Sequence, residues 1–170
     1  MRYRARVISG RLVCALAVVA SLAVAGCGSG KSSSSISQVD FKTGFAANHK
    51  AFGVLVTEIA KDLTGAASRT DAQLATEFGG LATRADQEAS QLADLTAPSK
   101  YSKRMGTLVT GFHALKADLS TISTAATKHN AQSAETATRA LLTDAAKIKT
   151  ADTSLSKDLG LLKAQSKSQS

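Results

Sequence analysis

The strongest constraint on the fold is a run of apolar residues spaced by four and three positions between residues 101 and 122. That spacing places every apolar side chain on one face of an α-helix. Similar stripes occupy positions 41–63, 74–95 and 141–162, and strand-like alternation of comparable length is absent. The pattern therefore predicts an all-α protein. The most regular stripe consists of Tyr101, Met105, Leu108, Phe112, Leu115, Leu119 and Ile122.

Short breaks between the stripes predict helices over about 38–65, 70–96, 99–128 and 131–164, followed by a polar tail over 165–170. Thr70 and Gln73 form a capping-box pattern, and Pro98 stands where the third helix begins. Asn130 is placed to cap the fourth helix. Because short connections force consecutive helices to run antiparallel, we expect an up-down-up-down four-helix bundle.

The N-terminal 26 residues have the composition of an export signal. Four arginines precede an apolar stretch from Leu12 to Ala25, which is shorter than the roughly 20 residues that a helix needs to cross a bilayer. This arrangement predicts a removed secretory signal peptide over 1–26. The Gly/Ser-rich residues that follow predict a flexible tether over 27–37.

The tetrapeptide Val24-Ala25-Gly26-Cys27 resembles the lipobox of bacterial lipoproteins. The resemblance implies diacylglyceryl transfer to the Cys27 thiol, cleavage between Gly26 and Cys27, and attachment to the outer face of the cytoplasmic membrane. The alternatives are an uncleaved anchor helix and a signal peptide that is cut without lipidation. The chain also resembles the small Ala/Thr-rich lipoproteins of high-G+C Gram-positive bacteria, through the stretch from Leu92 to Pro98; most of these have no assigned activity.

The net charge of +8 initially suggests a nucleic-acid partner. Four of the 21 basic residues lie in the signal peptide, however, so the chain from Cys27 has 17 basic and 13 acidic side chains, a net charge of +4. Aromatic residues are not interleaved with the basic ones, so no nucleic-acid partner is expected. Cys14 leaves with the signal and Cys27 is acylated, so cysteine catalysis is also excluded.

The sequence carries no recognisable catalytic motif, and we expect a protein that is not an enzyme. A few polar residues interrupt or adjoin the apolar stripes at similar heights in the predicted bundle. Together they would form a polar layer able to hold a divalent metal or a small cationic ligand. Alternatively, Ala89 and Ala151 complete the stripes and leave the polar residues at the boundary. A third interpretation is that the layer only fixes the register of the helices. The candidate ligands are His49, Glu88, His113 and Asp152, with Asn48 at a neighbouring position.

These features predict a membrane-anchored, extracytoplasmic module that binds an envelope protein or a cell-wall component. The only cofactor-like group expected is the covalent lipid on Cys27. The alternative is a sensor or capture bundle that binds a small ligand or a divalent metal through the polar layer.

Overall fold

The computed structural model describes residues 33–162, and the surroundings of side chains from residue 38 onward. The expected signal peptide, the lipidation site at Cys27 and the polar tail over 165–170 lie outside the described residues. The described residues, 33–162, lie within one compact unit. Its helices are α1 (Ser33–Gly65), α2 (Asp71–Asp94), α3 (Ser99–Thr127) and α4 (Ala131–Asp158), with a 3₁₀ turn over Ala66–Ser68. They pack into the predicted all-α four-helix bundle.

Helix ends follow the capping signals in the sequence. The Thr70 hydroxyl accepts a hydrogen bond from the Gln73 backbone, and the Gln73 side chain accepts one from the Thr70 backbone. The Asn130 side chain accepts a hydrogen bond from the backbone N–H of Ser133, at 3.0 Å. These bonds satisfy N–H groups that a helix terminus leaves without partners. The capping box of α2 and the Asn130 cap of α4 are thus confirmed.

Two helix boundaries differ from the sequence prediction. Helix α1 begins at Ser33, inside the predicted tether; no Gly or Pro interrupts residues 33–43, so each added residue gains a backbone hydrogen bond. Helix α4 ends at Asp158 instead of near residue 164, because Gly160 adopts a φ of 68° that L side chains disfavour. The backbone N–H groups of Gly160 and Leu161 then close the helix by donating to Lys157 O and Ser156 O, at 3.0 and 2.9 Å.

The apolar stripes form the core. All seven residues of the α3 stripe are buried. The α1 stripe is also buried from Phe41 to Ile59, and its one polar member in that range is Asn48. Helices α2 and α4 contribute shorter stripes that include Phe78, Leu92 and Leu155. Because each helix buries one face against the other three, the bundle has a single continuous core.

The four helices approach one another unequally. The backbones of α2 and α3, and of α3 and α4, run close together. Helix α1 stands farther from its two neighbours in the bundle, and of these α4 is the more distant. Small residues explain the close part: a Cβ added at Gly111 of α3 would lie only 2.7 Å from Cγ1 of Ile148 on α4. Helix α1 instead packs through large rings, and Phe52 meets Phe112 edge-on with ring centroids 5.3 Å apart. The seam between α1 and α4 is consequently the most open one.

Within the part of the chain that the structure describes, no helix has both the length and the apolarity that crossing a bilayer requires.

Candidate functional site

The open seam between α1 and α4 holds a groove of about 390 Å³. Its floor is apolar, with the buried ring of Phe52 beside Val56, and its rim carries exposed lysines from both helices. This combination of apolar surface with a few polar groups is typical of small-ligand sites. The lining residues are His49, Lys50, Phe52, Gly53, Val56, Lys149, Asp152 and Thr153.

A hydrogen-bonded pair joins the two walls of the groove. The Nδ1 atom of His49 on α1 lies 2.7 Å from Oδ2 of Asp152 on α4. When Asp152 is ionised it only accepts hydrogen bonds, so this contact requires the form of His49 that carries a hydrogen on Nδ1. The Ser156 hydroxyl, one turn along α4, lies 3.2 Å from the same nitrogen and is fully buried. The imidazole is thereby held in one orientation, with its side chain 34% exposed toward the groove.

This arrangement differs from a Ser–His–Asp hydrolytic relay. In such a relay the histidine contacts the serine through one ring nitrogen and the acid through the other. Here both Asp152 and Ser156 contact Nδ1 of His49, and the serine is 0% exposed. Ser156 therefore acts as a fixed partner for the imidazole, because no substrate can reach its hydroxyl.

Burial raises the pKa of Asp152 above its ordinary value of 3.8, while the hydrogen bond and charge of His49 pull the pKa down. The carboxyl group is thus a buried acid with a single neighbouring base. Asn48 lies next to His49 in the chain and is also buried; its Nδ2 donates to Gly44 O at 3.2 Å. The Asn48 Oδ1 atom is buried and has no hydrogen-bond partner among the described residues.

The other two candidate ligands lie elsewhere. His113 is exposed, and its Nδ1 lies 3.7 Å from Oδ1 of Asp86, an oxygen that also pairs with Lys116 Nζ at 2.9 Å. Glu88 is half-buried, and burial raises its pKa while the charge of Arg84 lowers it. Ala89 takes the fully buried position beside Glu88, as the second interpretation of the α2 stripe predicts.

The structure therefore brings together two of the four predicted ligands, His49 and Asp152. Over residues 38–162, neither Glu88 nor His113 forms a hydrogen bond or ion pair with that pair. Nor does any group of three or more His, Cys, Asp or Glu side chains in the described part of the chain have the arrangement of a metal site. The predicted four-residue metal layer is thus corrected to a two-residue pair, because His113 lies beside Asp86 and the Glu88 Oε2 has no hydrogen-bond partner among the described residues.

Sequence reasoning missed several residues of the groove and also Ser156, the buried partner of His49 behind it. Ser156 lies four positions after Asp152, so the helical period places both on one face of α4, a signal that was available. Lys50, Lys149 and Gly53 carried no such signal, because their meeting depends on the separation of α1 from α4.

A further acid, Asp118 on α3, lies outside this groove and faces α4. Burial is the main cause that raises the pKa of Asp118; the charge of Asp144 raises this pKa further, and the charge of Lys147 lowers it.

No protein-family model matches this chain, and no curated protein or solved structure does so either.

Proposed function

We propose that this protein is a lipid-anchored binding module on the outer face of the cytoplasmic membrane, and that it binds through the groove between α1 and α4. The attachment rests on the lipobox-like tetrapeptide that ends at Cys27. The binding role rests on one structural observation. The least closely packed seam holds an open groove in which Asp152 and Ser156 fix the imidazole of His49.

A binding role without catalysis fits this site better than a chemical one. The buried hydroxyl of Ser156 is inaccessible, and Ser156 and Asp152 contact the same ring nitrogen of His49. A histidine held by an acid and a hydroxyl is well suited to orienting a hydrogen bond. The surrounding groove then supplies shape and apolar contact.

The second candidate function is capture of a small ligand in the same groove, and the pairing of His49 with Asp152 favours it. A divalent-metal version of that function has weak support. Open sites that bind exchangeable metal have three protein ligands, whereas His49 and Asp152 supply only two side chains. Carboxylate ligands must also lie within about 2.0–2.6 Å of the ion.

Lipid attachment is tested by mass spectrometry of the protein purified from the membrane fraction of its producing cell. We expect a processed chain whose first residue is Cys27 and which carries a diacylglyceryl thioether. Cys27→Ala abolishes both processing and lipid. Cys14→Ala is the matched control, because it removes the other cysteine of the chain and leaves the mature lipoprotein unchanged. An unmodified Cys27 on a membrane-bound chain would refute the anchor.

A further inference from the structure

The rim of the α1–α4 groove carries an excess of positive charge. Lys50 projects from α1 and Lys149 from α4, and both are exposed. Over residues 38–162, neither ammonium group lies within ion-pair distance of a carboxylate, unlike Lys116 and Lys147, which pair with acids. The one acid of the lining, Asp152, is buried and engaged by His49. The rim therefore attracts an anion and repels a cation.

The floor of the groove is apolar and partly empty. Val56 is half-buried beside the ring of Phe52, which is 5% exposed. A Cβ added at Gly53 would meet nothing within 4 Å, so the space beside this lining residue is open. The volume of about 390 Å³ lies within the range of small-molecule sites, roughly 300–1,000 Å³. An apolar chain would cover this floor and displace water from it.

We propose that the groove binds a single-chain anionic amphiphile, a fatty carboxylate, and this ligand class rests on the binding role of the groove proposed above. The alkyl chain lies along Phe52, Gly53 and Val56. The carboxylate lies between the ammonium groups of Lys50 and Lys149. The hydroxyl of Thr153 and the Nε2 edge of His49 are the remaining polar groups of the lining, and the contacts of His49 with Asp152 and Ser156 fix the position of its ring.

Other ligand chemistries fit these groups less well. An alkylammonium would place its charge beside two lysines. An uncharged lipid would leave both lysines without a partner at the rim. A small inorganic anion would gain nothing from the Phe52–Val56 floor. Only a molecule that carries one anionic end and an apolar chain uses both halves of the groove.

The test is a titration of ¹⁵N-labelled residues 31–170, the compact unit, with dodecanoate below the concentration at which it forms micelles. We expect saturable shifts of backbone amide signals centred on Gly53 and Thr153. Dodecyltrimethylammonium and acetate are the control ligands, since one keeps the chain with the opposite charge and the other keeps the carboxylate alone. Each should bind at least about tenfold more weakly than dodecanoate.

Two pairs of variants test the site itself. Gly53→Phe fills the groove, and we expect at least about tenfold weaker dodecanoate binding. Gly80→Phe is the matched control, because Gly80 is also an exposed glycine in a helix with open space at its Cβ, yet it lies outside the groove. The double variant Lys50→Gln/Lys149→Gln should weaken binding by about tenfold, whereas Lys61→Gln, on the same helix but outside the groove, should leave it within about twofold.

Several results would overturn the proposal. They are equal affinity for dodecyltrimethylammonium, amide shifts spread over all four helices, no saturable binding, or unaltered binding by folded Gly53→Phe. If the Gly53 amide signal shifts with protein concentration when no ligand is present, a second copy of the chain occupies the groove instead. The titration does not involve residue 27, so its failure is distinguishable from failure of the lipid anchor.

Discussion

The α3 core and the α1–α4 seam differ in the side chains that they bury: those of the α3 core are apolar, whereas the seam includes polar ones. Helix α3 buries an uninterrupted apolar stripe and lies close to its neighbours, with Gly111 against Ile148. The seam buries Asp152 and Ser156, and its helices stand farther apart. A groove of about 630 Å³ also lies between α3 and α4, but the α1–α4 groove is the one lined by the hydrogen-bonded pair of His49 and Asp152. We therefore assign stability mainly to α3 and its neighbours, and the proposed binding role to the α1–α4 seam.

The largest effect should come from a cavity in the α3 core. Leu115→Ala removes a side chain that is 0% exposed, and we expect a loss of about 2–5 kcal/mol in the free energy of unfolding. Leu142→Ala is the matched control on α4, where the leucine is 56% exposed, and should change stability by less than about 0.5 kcal/mol. Urea denaturation monitored by circular dichroism measures both. Equal losses in the two variants would show that the α3 core is not the stabilising part.

A methyl group added to the close-packed side should destabilise the protein. Gly111→Ala places a Cβ 2.7 Å from Cγ1 of the buried Ile148, and we expect a loss of about 1–3 kcal/mol. Gly106→Ala, one turn earlier on α3, meets nothing within 4 Å and should gain up to about 1 kcal/mol from helix propensity. Thermal melting of the two variants compares them directly. A Gly111→Ala protein as stable as Gly106→Ala would mean that α3 and α4 are not in close contact.

The buried acid of the seam should make stability depend on pH. The folded protein raises the pKa of Asp152 above 3.8, so the unfolded chain loses this proton at lower pH than the folded one. Stability therefore falls as pH rises through that interval, by a smaller amount than the Gly111→Ala loss. Asp152→Asn removes this part of the fall and keeps an oxygen that accepts from His49.

Urea denaturation at several values between about pH 4 and pH 7 measures the difference. The wild type and Leu142→Ala should show the same fall, and Asp152→Asn a shallower one. Part of the fall in stability with rising pH remains in every variant, because burial raises the pKa values of Glu88 and Asp118 too. An Asp152→Asn protein with the wild-type pH dependence would contradict the buried position of this acid.

The smallest effect should have the opposite sign to that of Gly111. Gly53 lines the seam, and a methyl group there meets nothing within 4 Å. We expect Gly53→Ala to stabilise the protein by about 0.5–1 kcal/mol, as for an exposed glycine in a helix. Differential scanning calorimetry resolves a change of this size. Destabilisation by Gly53→Ala would indicate that α1 and α4 lie closer together than the structure places them.

The fold follows from the sequence because its signals are local. The spacing of the α3 stripe, the capping box at Thr70 and the cap at Asn130 each depend on residues within a few positions. The apolar stripe continues to Leu162 and therefore predicts an end of α4 that is later than the observed one at Asp158. Gly160 was the overlooked signal, since its positive φ suits a helix terminus.

The site was only partly predictable because it depends on how helices turn against each other. Glu88 and Asp152 occupy equivalent positions in their stripes, yet Ala89 replaces the first in the core while Asp152 is itself buried. The two acids differ in whether they have a hydrogen-bond partner. Asp152 faces His49 across the seam, whereas the Glu88 Oε2 has no hydrogen-bond partner among the described residues. Such pairing between distant residues leaves no mark in the spacing of either helix.

The central claim, that the α1–α4 groove is the binding surface of a membrane-anchored module, is tested most directly by site-specific photo-crosslinking in intact cells. A photoreactive amino acid is placed at Gly53 in one strain and at Gly80 in another, and adducts are identified by mass spectrometry. The account predicts a discrete adduct from position 53, with the mass of a fatty carboxylate, and none from position 80. No adduct from position 53, or the same adducts from both positions, would contradict it.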